Sequence, residues 1–245
     1  MRDYGSEITG RVAFIRKTLG DAGASGIVFA NSGGKDCALT GILCKKACDD
    51  TVGLILPCGT ARNYGADDRD ARELADAFGI ETRVIDLGGV AALLMEQIGK
   101  SASLKGGGVT NIAPRLRMLT AYAVGNSENR LVAGTGNRSE RYMGYFTKWG
   151  DGACDFNPIA DLTVSEVYEF LRFLEAPGCV IDKAPSAGLY EGQTDEADMG
   201  VTYEKIDDYI LRGNASDGDL AVIERFHKTS GHKRRLPPVY TENDD

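Results

Sequence analysis

Histidine and positive charge are scarce in this 245-residue sequence. The 2 histidines, His227 and His232, are too few for a three-histidine metal site, and both lie close to the C-terminal end. Lysine and arginine number 28 against 36 aspartates and glutamates, which gives a formal net charge of -8. Proteins that coat DNA or RNA usually show the opposite balance. We therefore expect neither a histidine-rich metal centre nor a nucleic-acid partner.

Long apolar runs and paired cysteines are also missing. No stretch approaches the roughly 18 uninterrupted apolar residues that predict a membrane span, and the N-terminal residues have no apolar core like that of a signal peptide. The 6 cysteines include no C-x-x-C motif and are too sparse for a disulfide framework. We expect a cytoplasmic protein with reduced thiols and no membrane partner. The spacing of Cys37, Cys44 and Cys48 predicts one buried helix face.

Hydrophobic residues make up 42% of the chain and charged residues 26%, as in ordinary globular proteins. The length suits a single domain over residues 1–245. Short apolar runs alternate with helical patterns, which predicts an α/β fold with a doubly wound parallel sheet flanked by helices. The predicted strands are Ile27–Ala30, Val52–Leu56, Thr82–Asp86 and Leu131–Ala133. One helix is predicted to begin after Gly34. Four more are predicted at Asp67–Phe78, Asn111–Val124, Thr163–Leu174 and Tyr203–Leu211.

The most informative segment follows the first predicted strand and opens a helix. Its residues are Asn31, Ser32, Gly33, Gly34, Lys35, Asp36 and Cys37. Glycines let the backbone approach a ligand closely, and the unpaired amides of a helix N-terminus bind phosphate oxygens. Asp36 would repel a phosphate unless a Mg²⁺ lies between them. This is not a Walker A loop, because G-x-x-x-x-G-K-[ST] is absent.

A second glycine segment runs from Gly134 to Glu140 after the fourth predicted strand. It nearly matches G-x-G-x-x-G, but Ser139 stands where the third glycine would be. Because ligands bind at the carboxyl ends of parallel strands, Asp36 and Glu140 are expected to face one crevice, where both can hold Mg²⁺ with a triphosphate. The aperiodic stretch 144–161 predicts a shaped pocket with Lys148, Asp151 and Asp155 as polar contacts. Gly106–Gly108 predicts a flexible break, and the chain after residue 178 predicts mostly loop.

Taken together, these motifs resemble ammonia-dependent NAD synthetase, a family of the N-type ATP pyrophosphatase superfamily, over nearly the whole chain. The loop Ser32-Gly33-Gly34-x-Asp36 is similar to the pyrophosphate loop of that superfamily. More specific matches lie downstream. They are the helix at Asn111–Met118, the segments 134–140 and 144–152, the segments 185–189 and 192–196, and the ending His232-Lys233-Arg234.

The resemblance implies an adenine nucleotide alpha-hydrolase-like (Rossmann-like) fold and a C–N ligase that amidates deamido-NAD with ammonia. ATP would be the co-substrate, an acyl-adenylate the intermediate, and AMP and pyrophosphate the by-products. It also implies a homodimer, and a single synthetase domain over residues 1–245 without a glutaminase domain. The implied ATP contacts are residues 31–37, Thr135 and Ser186, and the implied Mg²⁺ ligands are Asp36 and Glu140. The implied substrate contacts are Arg115, Lys148, Asp155, His232 and Lys233, with Asp151 and Lys148 at the amidation centre.

The sequence departs from the family at several positions. The family usually has glycine at the position of Ala30, serine at that of Cys37, and glutamine at that of Ala113. The largest departure is Val164, where the family typically has a lysine that reaches the ATP phosphates. We hypothesise that Lys35 supplies the missing charge, and unchanged ATP turnover in Lys35→Ala would contradict this.

Two alternative functions also fit the sequence. Another ATP pyrophosphatase, acting in sulfur transfer or tRNA modification, would use Cys37 and Cys154 as nucleophiles and would bind RNA in a salt-dependent way. A non-catalytic nucleotide-binding paralogue would bind ATP without releasing AMP.

Overall fold

The computed structural model describes residues 2–183 and 194–240. The four strands are β1 (Gly26–Ala30), β2 (Thr51–Ile55), β3 (Glu81–Val84) and β4 (Arg130–Val132). The helices are α1 (Tyr4–Ala22), α2 (Lys35–Ala47), α3 (Ala61–Tyr64), α4 (Ala66–Phe78), α5 (Gly88–Gly99), α6 (Gly107–Thr110), α7 (Ile112–Ser127), α8 (Arg138–Met143), α9 (Val164–Phe173), α10 (Gly178–Ile181), α11 (Asp195–Met199), α12 (Tyr203–Arg212) and α13 (Asp217–Thr229). A 3-10 turn follows at Gly231–Lys233.

All strand pairs are parallel, and the order across the sheet is β3-β2-β1-β4. The predicted parallel α/β fold is therefore confirmed. The chain winds outward from β1 to β3 and then crosses back to place β4 on the other side of β1. This reversal opens a crevice beyond the carboxyl ends of β1 and β4, the usual ligand position in such sheets.

The core lies on both faces of the sheet, which explains the continuous apolar runs of its strands. On β1, Ile27 and Phe29 pack with α1, α2 and α9, whereas Val28 packs on the opposite face with residues of β2, α5 and α7. A third cluster, which includes Met143, Val164 and Ile206, joins α8 and α9 to α11–α13. None of the described helices is long and apolar enough to cross a membrane.

The cysteine prediction for α2 is confirmed for two of its members. Cys37 and Cys44 are buried, whereas Cys48 comes one residue after the helix and is half-buried. All six cysteines are free thiols.

Two sequence predictions fail in the helical parts. Gly106–Gly108 was expected to be a break, but a one-turn helix begins at Gly107 and leads directly into α7. The chain after residue 178 was expected to be mostly loop, yet it contains α13, which Ser216 caps by accepting from the Asp219 amide. Tertiary burial of one apolar stripe stabilises such a helix despite its polar composition.

Candidate active site

Two glycine-containing loops meet at the crevice. The first, residues 31–34, leaves β1 and opens α2, and the second, residues 133–137, leaves β4 and opens α8. Since β1 and β4 are neighbours in the sheet, the two loops lie side by side at its carboxyl edge. The predicted pairing of the Asp36 and Glu140 segments is therefore present.

The first loop is held against α4 by a buried asparagine. The Asn31 side chain donates to the Ala71 carbonyl at 3.1 Å and accepts from the Gly33 amide at 3.2 Å. Gly33 has φ 67°, and a Cβ there would lie 2.6 Å from the Asp67 carbonyl oxygen. Only glycine fits this backbone position without strain. The following residue, Gly34, caps α2 without a side-chain bond among the described residues, so the first amides of α2 remain available to an anion.

The second loop is joined to the first through Asn137. Asn137 is fully buried and caps α8, accepting from the Glu140 amide at 2.9 Å, while the Glu140 carboxylate accepts from the Asn137 amide at 3.2 Å. The same asparagine side chain donates to Asp36 Oδ1 at 3.0 Å. One residue thus orients both carboxylates that the sequence predicts as metal ligands.

The opening of the second loop is close-packed. A Cβ at Gly134 would lie 2.5 Å from Cys154 Sγ, and the Gly134 amide donates to the Phe156 carbonyl at 2.7 Å. Beyond it, Ser139 is fully buried and donates to Asp207 at 2.5 Å. These contacts fix the backbone on both sides of Glu140.

Lys35 points inward rather than toward solvent. Its Nζ donates to Asp36 Oδ2 at 2.6 Å, and the residue is 6% exposed. Burial would lower its pKa, but the Asp36 and Glu140 carboxylates outweigh burial and raise it. Burial and the neighbouring Asp36 also raise the pKa of Glu140 well above its ordinary value.

A cavity of about 650 Å³ is lined by residues of both loops and by residues of the segment 143–153. Ten of the predicted site residues line it: Asn31, Ser32, Gly34, Lys35, Asp36, Cys37, Thr135, Glu140, Asp151 and Lys233. Predicted nucleotide contacts and predicted amidation residues therefore face one continuous space. Such a shape suits a pair of large polar ligands held together.

Asp151 and Lys233 also line the cavity. Asp151 accepts from the Thr147 amide at 2.9 Å, and Lys233 Nζ donates to the carbonyls of Gly144 and Phe146, each at 2.8 Å. The surrounding protein removes water from the Asp151 carboxyl, and this desolvation raises its pKa, although the residue remains exposed to the cavity. Burial lowers the pKa of Lys233, and the charge of Asp151 opposes this.

Three predicted substrate contacts form a chain outside the cavity lining. Arg115 donates to the Lys148 carbonyl at 3.4 Å, and Lys148 Nζ donates to the His232 carbonyl at 2.8 Å. Arg115 and His232 are exposed, and Lys148 is half-buried beside the ring of Trp149. The structure thus brings these residues together next to Lys233.

Asp155 occupies a different place. Its Oδ2 accepts from the Val132 amide at 2.7 Å, and its own amide donates to the Val132 carbonyl. This side chain binds the backbone of β4 and lies outside the cavity lining, so substrate contact by Asp155 stays a prediction. Ser186, a predicted ATP contact, lies outside the described residues.

The cavity also contains charged residues that sequence reasoning missed. Arg117 donates to the Leu56 carbonyl and to Asn63 Oδ1, each at 3.0 Å, and burial lowers its pKa. Lys183 Nζ donates to Asp67 at 2.8 Å and to Asp70 at 2.9 Å, and it approaches the Gly33 carbonyl at 3.4 Å. The R-x-R spacing of α7 was visible in the sequence, but only the fold shows which arginine faces inward.

Cys37 and Cys154, which a sulfur-transfer enzyme would use as nucleophiles, are poorly suited to that role in this structure. Cys37 Sγ lies 3.2 Å from Ser32 Oγ, and burial raises the pKa of both Cys37 and Cys154. Both therefore stay protonated near neutral pH, whereas a reactive cysteine needs a thiolate.

Comparisons with known proteins agree on one family. A sequence model of the family described as NAD synthase matches residues 7–237. The chain is 42% identical over 231 residues to an NH(3)-dependent NAD(+) synthetase of Carboxydothermus hydrogenoformans, covering 93% of this chain and 94% of that protein. It is similar in structure to an NMN synthetase of Francisella tularensis, with TM-score 0.91, 36% identity and coverage of 98% and 99%. An NH3-dependent NAD synthetase of Campylobacter jejuni aligns with TM-score 0.81, 27% identity and coverage of 98% and 100%.

Proposed function

The chain belongs to the NAD synthase family, and we propose that its site amidates deamido-NAD with ammonia, converting ATP to AMP and pyrophosphate. The observation that carries the proposal is that residues at the start of α2 line the same cavity as Asp151 and Lys233. A nicotinate carboxylate and the α-phosphorus of a nucleotide can thus be held next to each other in one space.

The first step transfers the adenylyl group. The nicotinate carboxylate oxygen attacks the α-phosphorus of ATP, the bond to the β-phosphate bridging oxygen breaks, and pyrophosphate leaves. The amides at the start of α2 stabilise the pyrophosphate charge, with Ser32, Gly33 and Gly34 shaping the loop and Thr135 bordering it. The acyl-adenylate that forms carries a good leaving group, which the free carboxylate lacks.

The second step forms the amide. Ammonia attacks the acyl carbon, AMP leaves, and a proton must depart from the attacking nitrogen. Asp151 lines the cavity and has a raised pKa, so it is suited to accept that proton. Lys233 and the chain of Arg115, Lys148 and His232 bind the anionic substrate beside it.

The residues present suit a Mg²⁺ ion. Asp36 and Glu140 offer carboxylate oxygens from two different loops and are held together by Asn137. Within the part of the chain that the structure describes, no group of three or more metal-ligating side chains occurs. Mg²⁺ commonly binds through one or two carboxylates plus substrate phosphates and water, so this donor set fits. When bound, the ion neutralises charge on the ATP phosphates.

A homodimer is supported by an exposed apolar surface. The side chains of Val90, Leu93 and Leu94 on α5 and of Leu119 on α7 are exposed, and α5 packs beside α7. Large exposed apolar side chains on neighbouring helices are the kind of surface that protein–protein interfaces cover.

We further propose that the chain acts in the cytoplasm as a single synthetase domain on free ammonia. Six free thiols suit a reducing compartment. The curated relative from Carboxydothermus hydrogenoformans is named for ammonia and matches over nearly its whole length.

A second candidate substrate is nicotinate mononucleotide, which would give NMN. The similarity at TM-score 0.91 to a protein titled NMN synthetase favours it. The reacting carboxylate is the same, and only the adenylate half of the dinucleotide is missing.

One incubation series tests both candidates. The protein is mixed with Mg-ATP, ammonium and either deamido-NAD or nicotinate mononucleotide, and amide, AMP and pyrophosphate are quantified. Higher kcat/KM with deamido-NAD supports the first proposal, and the reverse supports the second. Absence of amide from both at high enzyme concentration would contradict the function. Replacing ammonium by glutamine tests the nitrogen source.

A further inference from the structure

The placement of Lys35 is unfavourable by two general rules. Lys35 is the first residue of α2, where the helix dipole disfavours a cation. It is also 6% exposed, and a buried ammonium must be compensated by partners. A lysine in a loop that binds phosphates would be expected to extend toward the phosphate position. Here its ammonium turns back onto Asp36.

The compensation comes from the two carboxylates assigned above to Mg²⁺. Lys35 Nζ donates to Asp36 Oδ2 at 2.6 Å, and the Glu140 charge also stabilises the ammonium. The rings of Tyr203 and Tyr168 flank it, with centroids at 5.6 Å and 5.9 Å from Nζ. Aromatic faces attract a cation and exclude water around it.

In the part of the chain that the structure describes, the same carboxylates have little other compensation from cations. Asp36 Oδ1 and Glu140 Oε2 both accept from Asn137, which is neutral. Among the described residues, Lys35 is the cation whose charged atom lies within 4 Å of the Asp36 carboxylate. The Lys35 ammonium therefore supplies the positive charge that stabilises these carboxylates when no ligand is bound.

We propose that Lys35 is a tethered cation that neutralises the Asp36–Glu140 pair in the nucleotide-free protein and so lowers the affinity of that pair for a divalent ion. The inference rests on the proposed assignment of these two carboxylates as metal ligands. A free divalent ion must displace the ammonium and break its bond to Asp36. When ATP is present, the flexible lysine stem lets the ammonium move to a phosphate oxygen, which frees Asp36 for the ion.

The test is divalent-ion binding without nucleotide. Mn²⁺ is titrated into the wild-type protein, Lys35→Met and Lys45→Met, and free Mn²⁺ is measured by electron paramagnetic resonance. Lys45 lies on the last turn of the same helix and bonds to the Asp49 carbonyl, so its replacement removes an equal charge far from the site. We expect Lys35→Met to bind Mn²⁺ at least about tenfold more tightly than wild type, because a unit charge next to a carboxylate is removed. Lys45→Met should match wild type.

A second readout separates charge from packing. Mn²⁺ alone should raise the melting temperature of Lys35→Met but not of wild type, and Lys35→Arg, which keeps the charge, should behave as wild type. Lys35→Gln replaces Lys35→Met in every measurement if the methionine variant does not fold. Equal Mn²⁺ affinity of the neutral variant and wild type would overturn the inference, whether both bind or neither does. Failure of wild type to form an amide would instead contradict the proposed function.

Discussion

Asn137 should contribute more to stability than an ordinary helix cap, because it also orients Asp36. Its side chain caps α8 and donates to Asp36 Oδ1 at 3.0 Å, and the residue is fully buried. Loss of a cap costs about 1 kcal/mol, and loss of a hydrogen bond to a charged group costs about 1.5–3 kcal/mol. Asn137→Ala should therefore lower the free energy of unfolding by roughly 3 kcal/mol, from the cap and the charged bond together.

The chain offers a matched control in α9. Thr163 is also fully buried and forms the same reciprocal capping box with Glu166, but its cap does not reach Asp36. Thr163→Ala should therefore cost about 1 kcal/mol. Asn137→Asp keeps the cap acceptor but loses the donor to Asp36 and places a second carboxylate against it.

Urea unfolding at fixed protein concentration measures these free energies, and initial-rate kinetics measures KM for Mg-ATP. We expect the order of stability to be wild type, then Thr163→Ala, then Asn137→Ala, and a raised KM for Mg-ATP in both Asn137 variants only. If Asn137→Ala loses no more stability than Thr163→Ala and leaves KM unchanged, the hydrogen bond from Asn137 to Asp36 contributes nothing to stability or to Mg-ATP binding, and the reasoning is wrong.

Three further outcomes are expected. Gly33→Ala should lower the free energy of unfolding by about 2 kcal/mol or more, because φ is 67° at this position and a Cβ would lie 2.6 Å from the Asp67 carbonyl oxygen. The variant should also fail to bind ATP in equilibrium dialysis, and binding as in wild type would contradict this. The raised pKa of Glu140 means that the folded protein holds the proton more tightly, so stability falls as pH rises above the ordinary glutamate value of about 4.5. In chelator, Glu140→Gln should weaken that fall above about pH 4.5, and an unchanged profile would refute it. Leu93→Glu, at an exposed side chain of α5, should convert a dimer to monomer in sedimentation, with unaltered sedimentation as the contrary result.

Local signals explain which elements could be predicted from the sequence. The strand ending at Ala30, the α4 helix that stops before Gly79 and the Thr163 capping box lie within one or two residues of their predicted positions. Each has an apolar run or a cap that acts within a few residues. The α1 helix was missed although Asp3 caps it and Gly23 ends it, because glycines and charges interrupt its apolar stripe.

The site was predictable only where the chain order dictates it. Asp36 and Glu140 could be placed in one crevice, because parallel strands align their carboxyl ends. The inward turn of Lys35 and the role of Asn137 depend on side-chain contacts between segments about 100 residues apart, such as Asn137 with Asp36. The contacts of Lys183 with Asp67 and Asp70 span a similar distance. No local pattern encodes such pairs.

The most direct test of the central claim follows an oxygen atom. Deamido-NAD with heavy oxygen in its nicotinate carboxylate is incubated with the protein, Mg-ATP and ammonium, and the AMP is analysed by mass spectrometry. An acyl-adenylate predicts one heavy oxygen in each AMP and equal amounts of NAD, AMP and pyrophosphate. Release of ADP and phosphate, or AMP without the label, would contradict the account.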